Sequence, residues 1–473
     1  MTNPDAVVVG SGPNGLAAAI VLARAGLHTV LREAAPQVGG GLRSEPLTLP
    51  GFVHDVCAAV HPLARASPFF RSLPLQEFGL DWVESPAALA HPLDGGSGVL
   101  LERSLDETAR ALGRGGAGWR RLIGPFVESW EGLANDVLAP PIHVPHHPLL
   151  LARFGLEALL PATLLARGLT GMPARALFAG SAAHSFLPLE QAGTAAFGLL
   201  LSISGHAVGW PIVRGGSQRL ADALAGYFRS LGGEIQTDAP VASLDELASP
   251  RVVMLDLGPH QVARIGRDRL PAAYRRKLAR YRYGAAAFKL DWALDGPVPW
   301  AAEACARSAT VHLGGTLEEI AASEAAPARG EVSDRPFVLF VQPTLFDPSR
   351  APAGRHTAWA YCHAPNGCTL DLTERIERQV ERFAPGFRDR ILARSVLSPT
   401  ELERRNPNLV GGDISGGIMD LRQVIARPVL RVDPYRTPAP GVYLCSASTP
   451  PGAGVHGMGG YHAATAAVEA LSA

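Results

Sequence analysis

The stretch DAVVVGSGPNGLAAAIVLARAGLHTVLREA (Asp5–Ala34) reads as strand, glycine turn, helix and second strand. Gly10, Gly12 and Gly15 follow the apolar run in a G-x-G-x-x-G spacing, with Ser11, Pro13 and Asn14 between them. The first glycine permits a tight turn, the second lets backbone approach a pyrophosphate, and the third lets the helix pack on the strand. Pro13 fits the first helical turn, where its missing N–H costs nothing. Gly26 closes the helix. Glu33 follows Gly15 by 18 residues, where a carboxylate reaches a ribose diol. Together these features predict a dinucleotide site.

The bulk composition is that of a globular chain. The sequence has 473 residues, 47% hydrophobic and 18% charged, enough for two or three domains. A formal net charge of +0 gives no global pull toward nucleic acid. Of 43 basic residues only Lys277 and Lys289 are lysine, so each is worth inspection. Five cysteines are odd in number and lack a zinc spacing, which predicts free thiols in a reducing cytoplasm and no metal site. MTNPD leads straight into the first strand without a secretory pattern. Gln191 to Val213 carries no Asp, Glu, Lys or Arg, but Gly, Ser, Thr and His206 interrupt it. It reads as a buried helix followed by a loop.

Beyond Glu33, the segment EAAPQVGGGLRS brings Gly39, Gly40, Gly41, Leu42 and Arg43. A second glycine pair carries more backbone toward a pyrophosphate, and an arginine neutralises its charge. Here the sequence resembles the FAD-dependent amine oxidases and phytoene desaturases, in which the acid is followed by a double glycine and then arginine. Gly41 stands where that group often has arginine, which shifts the phosphate charge onto Arg43. The segment Trp210–Val241 resembles the middle FAD segment of the same group. Its helix has an apolar face of Leu220, Leu224, Phe228 and Leu231, and EIQTD reads as a strand. The resemblance implies that the Val241 backbone binds adenine. RVVMLDLG (Arg251–Gly258) reads as a buried strand. At the other end, GVYLCSASTPPGAGVHGMGGYHAA resembles the strand, glycine turn and final helix that cover the flavin in phytoene desaturases. Ser446 and Pro450 depart from that pattern. The resemblance places Ser446, Ala447, Gly457 and Met458 at the flavin, with the positive end of the last helix against its N1–C2=O edge. His456, within that turn, either bonds the flavin's pyrimidine edge or pins the turn.

The implied fold is α/β: a Rossmann-type, glutathione reductase-like FAD domain (1–65, 210–270, 411–473) with an inserted α+β substrate domain (66–209, 271–410). His147–Leu169 and Ala176–Trp210 read as apolar helices. Gly284–Trp300 alternates like a strand, as do PFVLFVQPTLF and HTAWAYCHAP. A mixed sheet with helices over one face would roof an apolar pocket. Seven basic residues in Arg267–Gly284 read as a solvated helix face or as a contact for anionic headgroups. Lys289 lies in the strand AAFKLDWAL. Amine oxidases carry a similar lysine that holds water near flavin N5, while alternation also allows a Lys289–Asp291 surface pair.

The expectation is an oxidoreductase with one non-covalent FAD. It would move hydride between a C–H bond of an apolar or amphipathic small molecule and flavin N5. Oxygen, a quinone or a partner protein would take the electrons, because no second dinucleotide motif is present. An isomerase or saturase, and a non-catalytic FAD-stabilised binding or assembly protein, are the rival readings. The expected location is cytoplasmic, with peripheral membrane contact through the apolar helices left open, as is the oligomeric state.

Overall fold

The computed structural model describes residues 3–247 and 249–472. Strand Ala6–Val9 pairs in parallel with Thr29–Arg32 on one side and Val252–Leu255 on the other. Glu234–Gln236 adds beyond Thr29–Arg32, and Val442–Leu444 adds beyond Val252–Leu255, which completes a five-stranded parallel sheet. Alternation along each strand feeds two separate cores. Ala6, Val8, Leu31, Met254 and Tyr443 pack under the helices Pro13–Arg24, Gln218–Ser230 and Met458–Ser472. Val7, Val9, Val253, Leu255 and Leu444 pack on the other face against Val262, Tyr274 and Leu278. A parallel sheet covered on both faces needs such continuous apolar strands.

Two boundaries move with this packing. Helix Ala272–Ala279, assigned from sequence to the substrate domain, buries Tyr274 and Leu278 against the five-stranded sheet. Its basic residues Arg276 and Lys277 stay exposed. Likewise Phe69, Phe70, Leu73 and Leu75 join the first core rather than the inserted one. Apolar contact, not sequence order, decides which half a segment belongs to.

The inserted half is a seven-stranded mixed sheet. Its order across the sheet is Ile391–Leu397, Ala286–Leu294, His356–Ala364, Val338–Val341, Thr310–Leu313, Ala87–Leu93 and Ser97–Glu102. All neighbours are antiparallel except Thr310–Leu313 with Ala87–Leu93. The expectation of helices over one face is corrected. Helix Thr373–Phe383 buries Ile376, Val380 and Phe383 on Trp292 and Phe340. The helices between Gly116 and Ala207 pack instead around the edge strands at Ala88 and Leu101. Strand Ala286–Leu294 is buried at all nine positions despite its alternation, with Phe288, Leu290 and Trp292 under helix Thr373–Phe383 and Ala287 on the other face with Val56 and Ala59. The uncharged stretch 191–213 forms the helix Ala195–Ala207 and a following loop. Among the described residues, no helix is long and apolar enough to cross a membrane.

Candidate active site

The glycine turn is the floor of a cavity of about 900 Å³ that continues beneath the inserted sheet. Gly10 adopts φ +97°, and its N–H donates to the Arg32 carbonyl at 2.8 Å. Only a residue without Cβ turns here at no cost. Glu33 ends the second strand facing back over the turn. Its Oε2 accepts from the Ser11 N–H at 2.9 Å and the Ser11 hydroxyl at 2.5 Å, and its Oε1 accepts from the Ala35 N–H at 2.8 Å. The carboxylate is thus held in place before any ligand arrives.

The second glycine run closes on the first. Gly39 and Gly40 have φ +121° and +54°, and a Cβ on Gly40 would stand 3.1 Å from the Gly12 Cα. The Gly39 N–H donates to the Ser11 carbonyl at 3.1 Å. Two strips of bare backbone in contact make a cradle that side chains would fill. The first N–H groups of helix Pro13–Arg24 have no intrahelical acceptor and face this cradle with the positive end of the helix dipole.

Gly10, Ser11, Gly12, Pro13, Asn14, Glu33, Gly40, Gly41 and Arg43 all line the one cavity, and so do Val241, Ser446, Ala447 and His456. Arg43 is steered by its own neighbours, donating from Nε to the Gly40 carbonyl and from Nη2 to the Arg405 carbonyl, each at 3.2 Å. Gly15, Gly39, Leu42, Gly457 and Met458 do not line the cavity. They support it. A Cβ on Gly15 would stand 2.1 Å from the Gly10 carbonyl oxygen, and one on Gly457 2.4 Å from the Phe70 ring. Leu42 and Met458 are buried in the first core.

His456 accepts from the Met458 N–H at 3.0 Å through Nδ1, while its carbonyl accepts from the Ser67 hydroxyl at 2.7 Å. Burial lowers its pKa to about 4, so the ring is neutral and caps the last helix. It pins the turn and also touches the cavity.

Lys289 lies on the sheet face that turns toward the cofactor half, level with Tyr361 and next to Trp359. Trp359 and Tyr361 stack at 5.9 Å and 12° and line the cavity. Lys289 stands beside them on the same face and does not line the cavity. Its ammonium donates to the Asp291 carboxylate and stands 5.1 Å from the Trp359 ring centroid. The surface-pair expectation is corrected: the two side chains are 3% and 0% exposed.

Several contributors carried no signal in spacing. Arg405 lines the cavity from the second insertion; its carbonyl accepts from Arg43, while its guanidinium is held by Glu45 and Glu401. Ile414, Ser415, Gly416 and Met419 form a wall that no motif announced. That wall is set by two buried charges. Asp413 accepts from the N–H groups of Gly284, Ser415 and Gly417 at 2.6, 2.6 and 3.0 Å. Arg427 donates from Nη2 to the carbonyls of Ser415, Gly416 and Ala447 at 2.8, 2.9 and 2.8 Å. Asp256 also lines the site; it stood inside the quoted RVVMLDLG strand but drew no role there.

Residues 8–73 match the family model described as an NAD(P)-binding Rossmann-like domain. The chain is 27% identical over 551 aligned residues to the pyridine nucleotide-disulfide oxidoreductase domain-containing protein 2 of Rattus norvegicus, covering 97% of this chain and 92% of that protein. Among solved structures it resembles an oxidoreductase from Methanosarcina mazei, with a TM-score of 0.64 at 17% identity over 98% of this chain and 99% of the other. It also resembles the cyclohexylamine oxidase of Brevibacterium oxydans, with a TM-score of 0.57 at 16% identity over 100% of both chains. The chain shares its fold with these two solved oxidoreductases. In it a Rossmann-like dinucleotide-binding half carries an inserted mixed sheet.

Proposed function

We propose that this chain is an FAD-dependent oxidoreductase acting on a C–H bond of an apolar or amphipathic small molecule. The observation that carries the reading is the continuity of one cavity, from the bare-backbone cradle to a chamber walled by Phe154, Leu200, Trp210, Trp359 and Tyr361. The residues present fit the cofactor. Glu33 would take the ribose, the Gly10–Gly15 turn and Gly40–Gly41 the pyrophosphate with Arg43, and the Val241 backbone the adenine. The Ser446–Ala447 turn would hold the flavin end, clamped by Arg427. Bound there, FAD would supply the hydride-accepting N5.

The chain's own part is binding, orientation and exclusion of water. The stacked Trp359 and Tyr361 offer a flat apolar wall to a substrate. Electrons would pass on to oxygen, a quinone or a partner protein. The outer apolar residues near the chamber support peripheral membrane contact as the route for an apolar substrate.

Purified protein is expected to be yellow, with one FAD per chain released by acid precipitation. Its absorbance near 450 nm is expected to bleach anaerobically with an apolar fraction of a cell extract. Flavin that stays on the precipitated polypeptide would refute non-covalent binding. Full FAD occupancy with no bleaching by any fraction would favour the non-catalytic reading.

A further inference from the structure

Parallel pairing of Val9 with Leu255 sets Asp256 directly beside the glycine turn. Its N–H donates to the Val9 carbonyl at 2.9 Å, and its side chain projects into the turn. Oδ2 accepts from the Gly15 N–H at 2.9 Å. A Cβ on Gly12 would stand 2.5 Å from the same oxygen. A carboxyl group therefore occupies the mouth of the turn at the start of helix Pro13–Arg24, where backbone N–H groups would otherwise point at phosphate.

The groups facing Asp256 offer little compensation. They are the Gly12 and Gly15 N–H groups, the Glu33 carboxylate from the neighbouring strand, and the Cys445 thiol after strand Val442–Leu444. Among the described residues, no lysine, arginine or histidine figures among the influences on this carboxyl. Removal from water, with Glu33 adding to it, pushes its pKa up to about 7. A pyrophosphate laid on the turn would bring two more negative charges into the same small space. Two anions in a poorly solvated site repel strongly unless one of them is neutralised.

We propose that Asp256 is a pyrophosphate-contacting residue that binds the cofactor in its protonated form. One proton is then taken up from solvent as the dinucleotide enters, and the carboxyl O–H donates to a phosphate oxygen. The inference rests on reading this cavity as the FAD site. Its sign follows from linkage. Below pH 7 the carboxyl already holds its proton, so affinity is flat. Above pH 7 the proton must be acquired on binding, and affinity falls about tenfold for each pH unit.

The test is FAD binding to protein stripped of flavin, followed by fluorescence quenching from pH 6 to pH 9. Proton uptake is measured at pH 6 and pH 8 by calorimetry in buffers of different ionisation enthalpy. The expected result is a flat Kd below pH 7, a rise of about tenfold per unit above it, and uptake near zero at pH 6 and near one proton at pH 8. Asp256→Asn, which keeps shape and a donor, is expected to bind FAD with no pH slope and no uptake. FAD binding by the wild type with a flat Kd and no uptake overturns the proposal alone. So does a wild-type slope retained in Asp256→Asn. Failure of the wild type to bind FAD at every pH overturns the cofactor reading and this inference with it.

Discussion

Lys289 shows how one residue's role depends on what surrounds it. Its partner Asp291 is fully buried; the His54 ring stands near that carboxylate with Nδ1 at 3.6 Å, and Arg405 acts on it from farther off. Burial lowers His54 to a pKa of about 3, so it brings no charge at neutral pH. Lys289→Met would leave the buried Asp291 carboxyl without its partner, to be either protonated or carried as an uncompensated charge. The expected cost is about 3–5 kcal/mol of folding stability, read as a lower urea midpoint. Lys289→Met combined with Asp291→Leu is expected to recover most of it, because replacing both members of a buried pair is often neutral. A single variant as stable as the wild type, yet slower in flavin reduction, would instead give the ammonium a direct part in the chemistry. Stability is expected to dominate, since Lys289 does not line the cavity and its ammonium is engaged by Asp291.

At the level of elements, the first βαβ unit was fully legible, because each of its residues obeys a local rule. Gly10 needs positive φ, Pro13 takes the first helical position, and Glu33 ends a strand. The seven-stranded sheet was legible only in part. Strand Ala87–Leu93 contains His91 and Pro92 and is buried at every position, so neither alternation nor β-propensity marks it. The wall at Ile414–Met419 is held by an Asp413 turn that also reaches Gly284 and by Arg427 folding back on Ser415, a combination that no periodicity marks. Helix Pro148–Ala158 is apolar toward both sides. Phe154 and Ala158 face the cavity, while Leu149 and Leu156 are 87% and 74% exposed. Ile142 and Val144, a few residues ahead of this helix in the chain, are exposed as well. An exposed apolar cluster backed by a cavity wall suits a lipid surface. The protein is expected to float with phosphatidylcholine vesicles at moderate salt, and Leu149→Glu with Leu156→Glu to release it. Wild-type protein that stays wholly in the soluble fraction would rule out this docking.

Over the whole molecule, titration runs mostly in one direction. Burial holds His54 and His184 at about 3 and His61, His91, His206 and His456 at about 4. Their ordinary value is 6.5, so the unfolded chain takes up protons that the folded chain refuses as pH falls below that value. Stability present above pH 6.5 is therefore lost as pH drops toward 4. Asp256 and Asp291, raised to about 7 and about 6, act with opposite sign and offset two of the six. The remainder gives a loss on the order of 5 kcal/mol per pH unit near pH 5, at roughly 1.4 kcal/mol per proton. Tm is expected to fall steeply between pH 6.5 and pH 5. A Tm unchanged across that range would show that these rings are charged in the folded state. The sheet of the dinucleotide half has a further consequence. Strand Ala6–Val9 needs Val252–Leu255 beside it, and helix Pro13–Arg24 needs Met458–Ser472, whose Gly460 lies so close that a Cβ would stand 1.8 Å from the Asn14 carbonyl oxygen. During synthesis, strand Ala6–Val9 and the helix that follows it must therefore wait until residues 458–472 have been made. Until that helix emerges, the nascent chain has no finished dinucleotide half, and the apolar face of helix Pro13–Arg24 stays uncovered.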